Sequence, residues 1–170
     1  MKKSMLVIIA AAIFLLLCFA AYEIKPYKER SSLVIESDSA HRVFMTAEVT
    51  GKDKIRLKFE NKSDKTCMYG KPYSIEYYYH GNWYKVPFKK DAGIFTHEGI
   101  LLGPAEEYAQ KGNEDTMLEN TNTMDVELSN MLGVLPKGHY RIVKDFSLMD
   151  GDGSTSDTFN LAAEFDLSGA

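Results

Sequence analysis

The chain reads as an all-β protein, an antiparallel β-sandwich of about seven or eight short strands behind one N-terminal hydrophobic helix. Three observations predict this class. Apolar and polar residues alternate with a period of two in several segments, turn-forming residues separate those segments, and no amphipathic stretch between them is long enough for a helical crossover.

The N-terminus comes first. Lys2 and Lys3 precede an uncharged apolar run from Met5 to Tyr22. As a helix rising 1.5 Å per residue, that run just spans a hydrocarbon core of about 30 Å. A membrane anchor is the preferred reading, because Cys18-Phe19-Ala20 and the following Ala21 form a mediocre cleavage site for the alternative, a secretory signal peptide. Lipid attachment at Cys18 is disfavoured, since Leu17 stands where a small residue is required. The lysine pair places the rest of the chain outside the cytoplasm. The expected organisation is a signal peptide or anchor at 1–22, a polar stalk at 23–41 and a sandwich domain at 42–170, located at the cell membrane or secreted.

Charge and cysteine use narrow the chemistry. The chain has 20 basic and 24 acidic residues and a net charge of −4. Without Lys2 and Lys3 the basic residues number 18, and the balance falls to −6. The charges are interspersed, which argues against nucleic acid as a partner and for a solvated acidic surface. Of the 2 cysteines only Cys67 lies outside the apolar run, so the domain has no internal disulfide, and Cys67 reads as a small core residue. His41, His80, His97 and His139 stand singly, without the spacing of a metal site or a triad. No catalytic residue, cofactor or metal is expected.

The strands follow in order. Val43–Thr50 is the first period-2 segment. In Lys54–Asn61, Ile55, Leu57 and Phe59 alternate with Lys54, Arg56, Lys58 and Glu60, the pattern of a sheet packed on one side only. Gly51-Lys52-Asp53 turns the chain between them. Asn61-Lys62-Ser63 spells a glycosylation sequon but reads as a polar turn. Tyr73–His80 and Trp83–Val86 form a hairpin around Gly81-Asn82, which would put Tyr73, Ile75, Tyr77, Tyr79, Tyr84 and Val86 on one face and leave Tyr78 and Trp83 as the exposed aromatics. Pro87 to Asp125 holds one or two short strands in long loops. Val126–Met131, a strand launched by Leu135-Pro136-Lys137-Gly138, and Thr158–Leu167 complete the set. Asp150-Gly151-Asp152-Gly153-Ser154 begins like a calcium loop, but Thr155 and Leu161 stand where that loop needs a glycine and a bidentate acid, so it reads as a hairpin turn.

Four stretches carry a resemblance. Tyr69-Gly70-Lys71-Pro72-Tyr73-Ser74-Ile75-Glu76, Gly81-Asn82-Trp83-Tyr84-Lys85-Val86-Pro87, Gly133 to Ile142 and Ala162-Ala163-Glu164-Phe165 resemble the spaced motifs of a bacterial immunoglobulin-like domain. The resemblance covers most of residues 42–168. It implies an immunoglobulin-like sandwich of the kind carried by exported or anchored Gram-positive proteins, with no catalytic residues to transfer. Gly70 and Gly138 would serve turns, Trp83 and Tyr140 would be large core or corner residues with the Tyr140 hydroxyl tying a loop, and Phe165 would point inward.

The functional expectation is a non-enzymatic envelope module, held by residues 5–22, that acts by contact with a protein or cell-wall partner through a sheet edge or end loops. The alternative is a glycan binder using exposed Tyr78 and Trp83. An enzyme built on Glu106 and Glu107, or on Asp150 and Asp152, is disfavoured because neighbours in sequence rarely converge as an acid and a base.

Overall fold

A computed structural model describes residues 27–96, 98–105 and 118–168. The expected hydrophobic helix and anchor lie outside the described residues. Among the described residues there are nine strands: β1 (Val43–Gly51), β2 (Lys54–Asn61), β3 (Thr66–Gly70), β4 (Ser74–Tyr79), β5 (Asn82–Lys85), β6 (Gly99–Leu102), β7 (Thr121–Glu127), β8 (Gly138–Met149) and β9 (Thr155–Leu167). Two helices, α1 (Asp38–His41) and α2 (Leu128–Leu132), are single turns. The described residues thus hold more strands than the seven or eight expected. The strand not anticipated is β3, too short to show a period.

The strands form two antiparallel sheets. In the smaller, β2 lies between β1 and β7. Its alternation works as read: Ile55, Leu57 and Phe59 are fully buried, while outward-facing Arg56 grips Asp125 of β7 at 2.7 and 3.0 Å. In the larger sheet β8 is the axis. One edge of β8 pairs along its length with β9; the other pairs first with β4, from Tyr77↔Tyr140 to Ser74↔Val143, and then with β3, from Tyr69↔Phe146 to Thr66↔Met149. Beyond β4 lies β5, and beyond β3 lies β6.

β3 and β4 are therefore one broken strand. The break at Lys71-Pro72-Tyr73 leaves Lys144 and Asp145 of β8 without ladder partners on that edge. The side chain of Lys144, 1% exposed, fills the gap: its ammonium donates to the carbonyls of Gly70 at 2.6 Å and Pro72 at 2.7 Å. A proline lacks the N–H a ladder needs, so a buried donor from the neighbouring strand is what satisfies those carbonyls.

The core fills the space between the sheets. Phe59 of the smaller sheet meets Tyr69 (centroids 4.4 Å apart) and Phe146 (5.9 Å) of the larger, and Phe146 stacks on Phe159. Each such side chain removed from water contributes about 1.5–3 kcal/mol. Cys67 is a buried member of this core, as expected. Phe165 points inward, and the Tyr140 hydroxyl donates to the Pro136 carbonyl at 2.8 Å, tying the incoming loop to β8. Gly138 has a different role from the turn expected of it: a Cβ there would lie 2.4 Å from the Tyr77 ring, so the glycine lets β4 and β8 pack.

Two local expectations are corrected. The hairpin turns at His80-Gly81, both with positive φ (45° and 80°), so Tyr79 faces Asn82 and Tyr78 faces Trp83. The expected two-residue turn at Gly81-Asn82 would instead pair Tyr79 with Tyr84, but the slip is by an even number, so Ile75, Tyr77 and Tyr84 still share a face. The segment Val126–Met131 is not a strand throughout: β7 begins five residues earlier, and from Leu128 the chain coils into α2, anchored by the buried Leu128 side chain and its N–H bond to the Asp53 carbonyl.

The stretch read as stalk is described from residue 27, and from there it is docked as a strap. Residues 29–31 run antiparallel beside β5, with Ser31 N–H on the Trp83 carbonyl and Lys85 N–H on the Glu29 carbonyl. Glu36 N–H then bonds the Asn160 carbonyl of β9, and the outward-facing Asn160 side chain donates to the Val34 carbonyl. Residues 32–35 thus pass from the β5 edge to the β9 edge over the sheet's outer face. This is why Val143, whose register points it away from the core, is nonetheless buried.

Candidate functional site

Register brings a polar and aromatic cluster onto the outer face of the larger sheet. Trp83, Tyr78, His139 and Asp166 project from β5, β4, β8 and β9 in one row, and Lys85, Glu76, Arg141 and Glu164 in the next. Their positions follow from the alternation that sends Ile75, Tyr77, Tyr140 and Ile142 to the core.

Glu76 is the deepest member, with a fully buried side chain. Arg141 reaches it with Nε and Nη2, both 2.6 Å from Oε2, and lays its guanidinium over the Trp83 ring at 4.5 Å. A buried carboxylate is tolerable only when paired, and this pair has a stacked indole as its lid. Oε1 of Glu76 has no hydrogen-bond partner among the described residues.

The upper row is more open. Tyr78 is 42% exposed and lies against Trp83 (5.0 Å) and edge-on to His139 (5.8 Å). His139 presents each ring nitrogen to a different carboxylate, Nδ1 to Asp166 and Nε2 to Glu164, both at 2.9 Å. Burial pulls its pKa down, but the hydrogen bonds and charges of Asp166 and Glu164 outweigh it, and the net shift is upward. Only an imidazolium donates at both nitrogens at once.

Of the two expected exposed aromatics, Tyr78 is exposed and Trp83 is half-buried against Arg141. Trp83 is therefore neither a core residue nor a free platform. The alternation marked it as outward-facing, but its partner Arg141 lies nearly sixty residues away, beyond what the local pattern reveals.

The other candidates are dispersed. Burial pushes the Cys67 thiol up to about 12, which keeps it protonated and unreactive. His41 stacks on Phe159 at 3.8 Å and bonds Glu36 at 2.7 Å; His80 sits in the β4–β5 turn. Glu106, Glu107 and His97 lie outside the described residues. Asp150–Ser154 forms the β8–β9 turn, where Asp150 pairs with Lys65 at 2.7 Å and Asp152 accepts from the Ser154 N–H and hydroxyl. The Asn61 side chain is enclosed: its amide nitrogen donates to Lys65 and Gly103 carbonyls and its oxygen accepts from Ser63, a polar turn with the sequon's acceptor inside the fold.

Two antiparallel sheets around one core and a tyrosine tie at the start of β8 define an immunoglobulin-like sandwich module. The chain belongs to the bacterial Ig-like domain family, whose model matches residues 43–166. None of the curated proteins compared matches the chain. Domains of this family are generally non-catalytic. Its matched span begins at β1, so the strap precedes it.

Proposed function

We propose that this chain is a non-catalytic module of the cell envelope, tethered by residues 5–22 on the outer side of the cytoplasmic membrane and acting by contact with another protein. The observation that carries this reading is the outer-face row of Tyr78, Trp83 and His139 beside Glu164 and Asp166. It is a rigid aromatic and acidic surface, the composition that supplies anchors and a polar rim at interfaces. A photo-crosslinking amino acid in place of Tyr78, in cells, is expected to give a discrete protein adduct that Glu164→Lys abolishes. A labelled protein without such an adduct overturns the contact reading. Membrane fractionation with intact-mass analysis tests the tether: retention at full mass supports it, and release at a mass short by about twenty residues refutes it.

A second reading is kept for one observation. Exposed Tyr78 beside two carboxylates also suits stacking on a sugar with its hydroxyls oriented. Co-sedimentation with cell-wall glycan that is lost in Tyr78→Ala would favour it over protein contact.

A further inference from the structure

We propose that the β5–β6 connection around residues 87–96 is a membrane-contact surface that rests on anionic lipid headgroups of the leaflet facing the domain. The proposal rests on the tethered reading above. Three independent observations carry it.

The first is reach. Five Cα–Cα steps separate Tyr22, at the end of the apolar run, from Tyr27, so the link spans at most about 18 Å whatever its conformation. Tyr27 is already fixed to the domain, its ring edge-on to Tyr77 at 6.0 Å. Because the strap runs antiparallel to β5, with Glu29 beside Lys85, Tyr27 arrives beside Pro87. Tyr27, Lys28, Val86, Pro87 and Phe88 line one hollow of about 740 Å³. A membrane-embedded apolar run would therefore hold the 87–96 side of the sandwich against the bilayer, with no long stalk to lift it away.

The second is the build of the loop. Phe88 and Phe95 pack on Tyr73 at 5.9 and 5.2 Å and on each other at 5.8 Å. Gly93, at φ +84°, lies so close to the Phe88 ring that a Cβ would stand 2.9 Å away. This fixed base leaves Ile94 at the tip, 86% exposed. The loop packs both phenylalanines half-buried against Tyr73 and holds its aliphatic residue out, which its own packing does not require.

The third is charge. Lys28, Lys85, Lys89 and Lys90 surround the hollow and loop against Glu29 and Asp91, an excess of basic residues in a domain whose overall balance is acidic. Glu29 is paired with Lys85 at 2.6 Å, and Lys89 also donates to the Ser129 carbonyl. An exposed aliphatic tip on a loop that also carries Lys89 and Lys90, beside a hollow lined by Lys28, is the chemistry that enters the headgroup region of an anionic bilayer.

The test uses the full chain reconstituted in vesicles of phosphatidylcholine with or without one quarter phosphatidylglycerol, with lipids brominated in the upper acyl chain as quenchers. Trp83, the single tryptophan, is the internal reference. The indole added by Ile94→Trp is expected to be quenched and blue-shifted in the anionic vesicles while Trp83 is unaffected. Lys28→Gln with Lys90→Gln should weaken docking to the anionic vesicles about fivefold per lysine and leave behaviour in neutral vesicles unchanged. Quenching that is equal in neutral vesicles, or an added indole as exposed as in buffer while the protein sediments with the vesicles, overturns the proposal. Failure to sediment with the vesicles at all overturns the tethered reading, and this inference falls with it.

Discussion

Substituting Lys144 by methionine separates what the buried ammonium costs from what its hydrogen bonds contribute. Burial lowers the Lys144 pKa from 10.5 to about 8. Two of its three protons are used, on the Gly70 and Pro72 carbonyls, and the third has only the Tyr69 ring, 5.5 Å away. Loss of that third proton keeps both bonds, so the hydrogen bonds do not oppose the downward shift. Below pH 8 the folded and unfolded chains both carry the proton, and the full cost of burying the charge is present. Between pH 8 and 10.5 the unfolded chain binds more protons than the folded one, so stability from this group rises with pH. The rise between pH 7 and pH 10 is about 2.5 kcal/mol at most. Methionine removes it and leaves two buried carbonyls without a donor, at about 1–3 kcal/mol each. Lys144→Met should therefore be close to neutral or mildly destabilising at pH 7 and clearly worse at pH 10. Urea denaturation of both proteins at the two pH values measures this. The difference between them is the quantity that matters, because Cys67 and Tyr140, whose pKa values burial raises, lower the stability of both over the same range. A destabilisation by methionine that is the same at pH 7 and pH 10 refutes the reasoning.

Three further outcomes are expected. Tyr140→Phe deletes the tie to Pro136 and should cost about 1 kcal/mol, read as a lower urea midpoint at unchanged slope. Glu76→Ala strands the partly buried Arg141 and should cost about 3 kcal/mol, while Glu76→Ala with Arg141→Leu recovers much of it; additive losses would show that the pair does not act as a unit. His139 should titrate above its ordinary 6.5, so its contribution to stability is complete below 6.5 and is lost as pH rises through the folded-state value; NMR of the ring protons, with Asp166→Asn lowering that value, checks the sign.

Strands with one buried face were legible in the sequence because their pattern is local. β2 stands where its alternation put it, and the parity of β4 and β5 survived a wrong turn because an even slip preserves faces. Features that depend on distant residues were not legible. β3 has five residues and takes its place from β8, nearly eighty positions later. The helical turn at Leu128 is set by Asp53. Lys144 falls in phase with Tyr140 and Ile142 on the core side, where a lysine breaks the apolar pattern, and only the break between β3 and β4 explains how it is accommodated. The outer-face site was half visible: Tyr78 and Trp83 stood out, whereas Glu76, Arg141 and His139 became a cluster only through register.

The position of β8 as the axis of the larger sheet has a consequence for the order of assembly. β3, β4 and β9 all hydrogen-bond to residues 138–149, and β5 and β6 attach through them. During synthesis the chain emerges from its N-terminus, so four of these six strands exist before the strand that organises them. The β8–β9 hairpin, the sheet's longest pairing, is made last. Folding of the larger sheet is thus postponed until nearly the whole chain is available, and it then pays for long loop closures at once, the hallmark of slow, all-or-none β assembly. A chain ending before Gly138 would leave the β4–β5 and β3–β6 pairs with their β8-facing edges open.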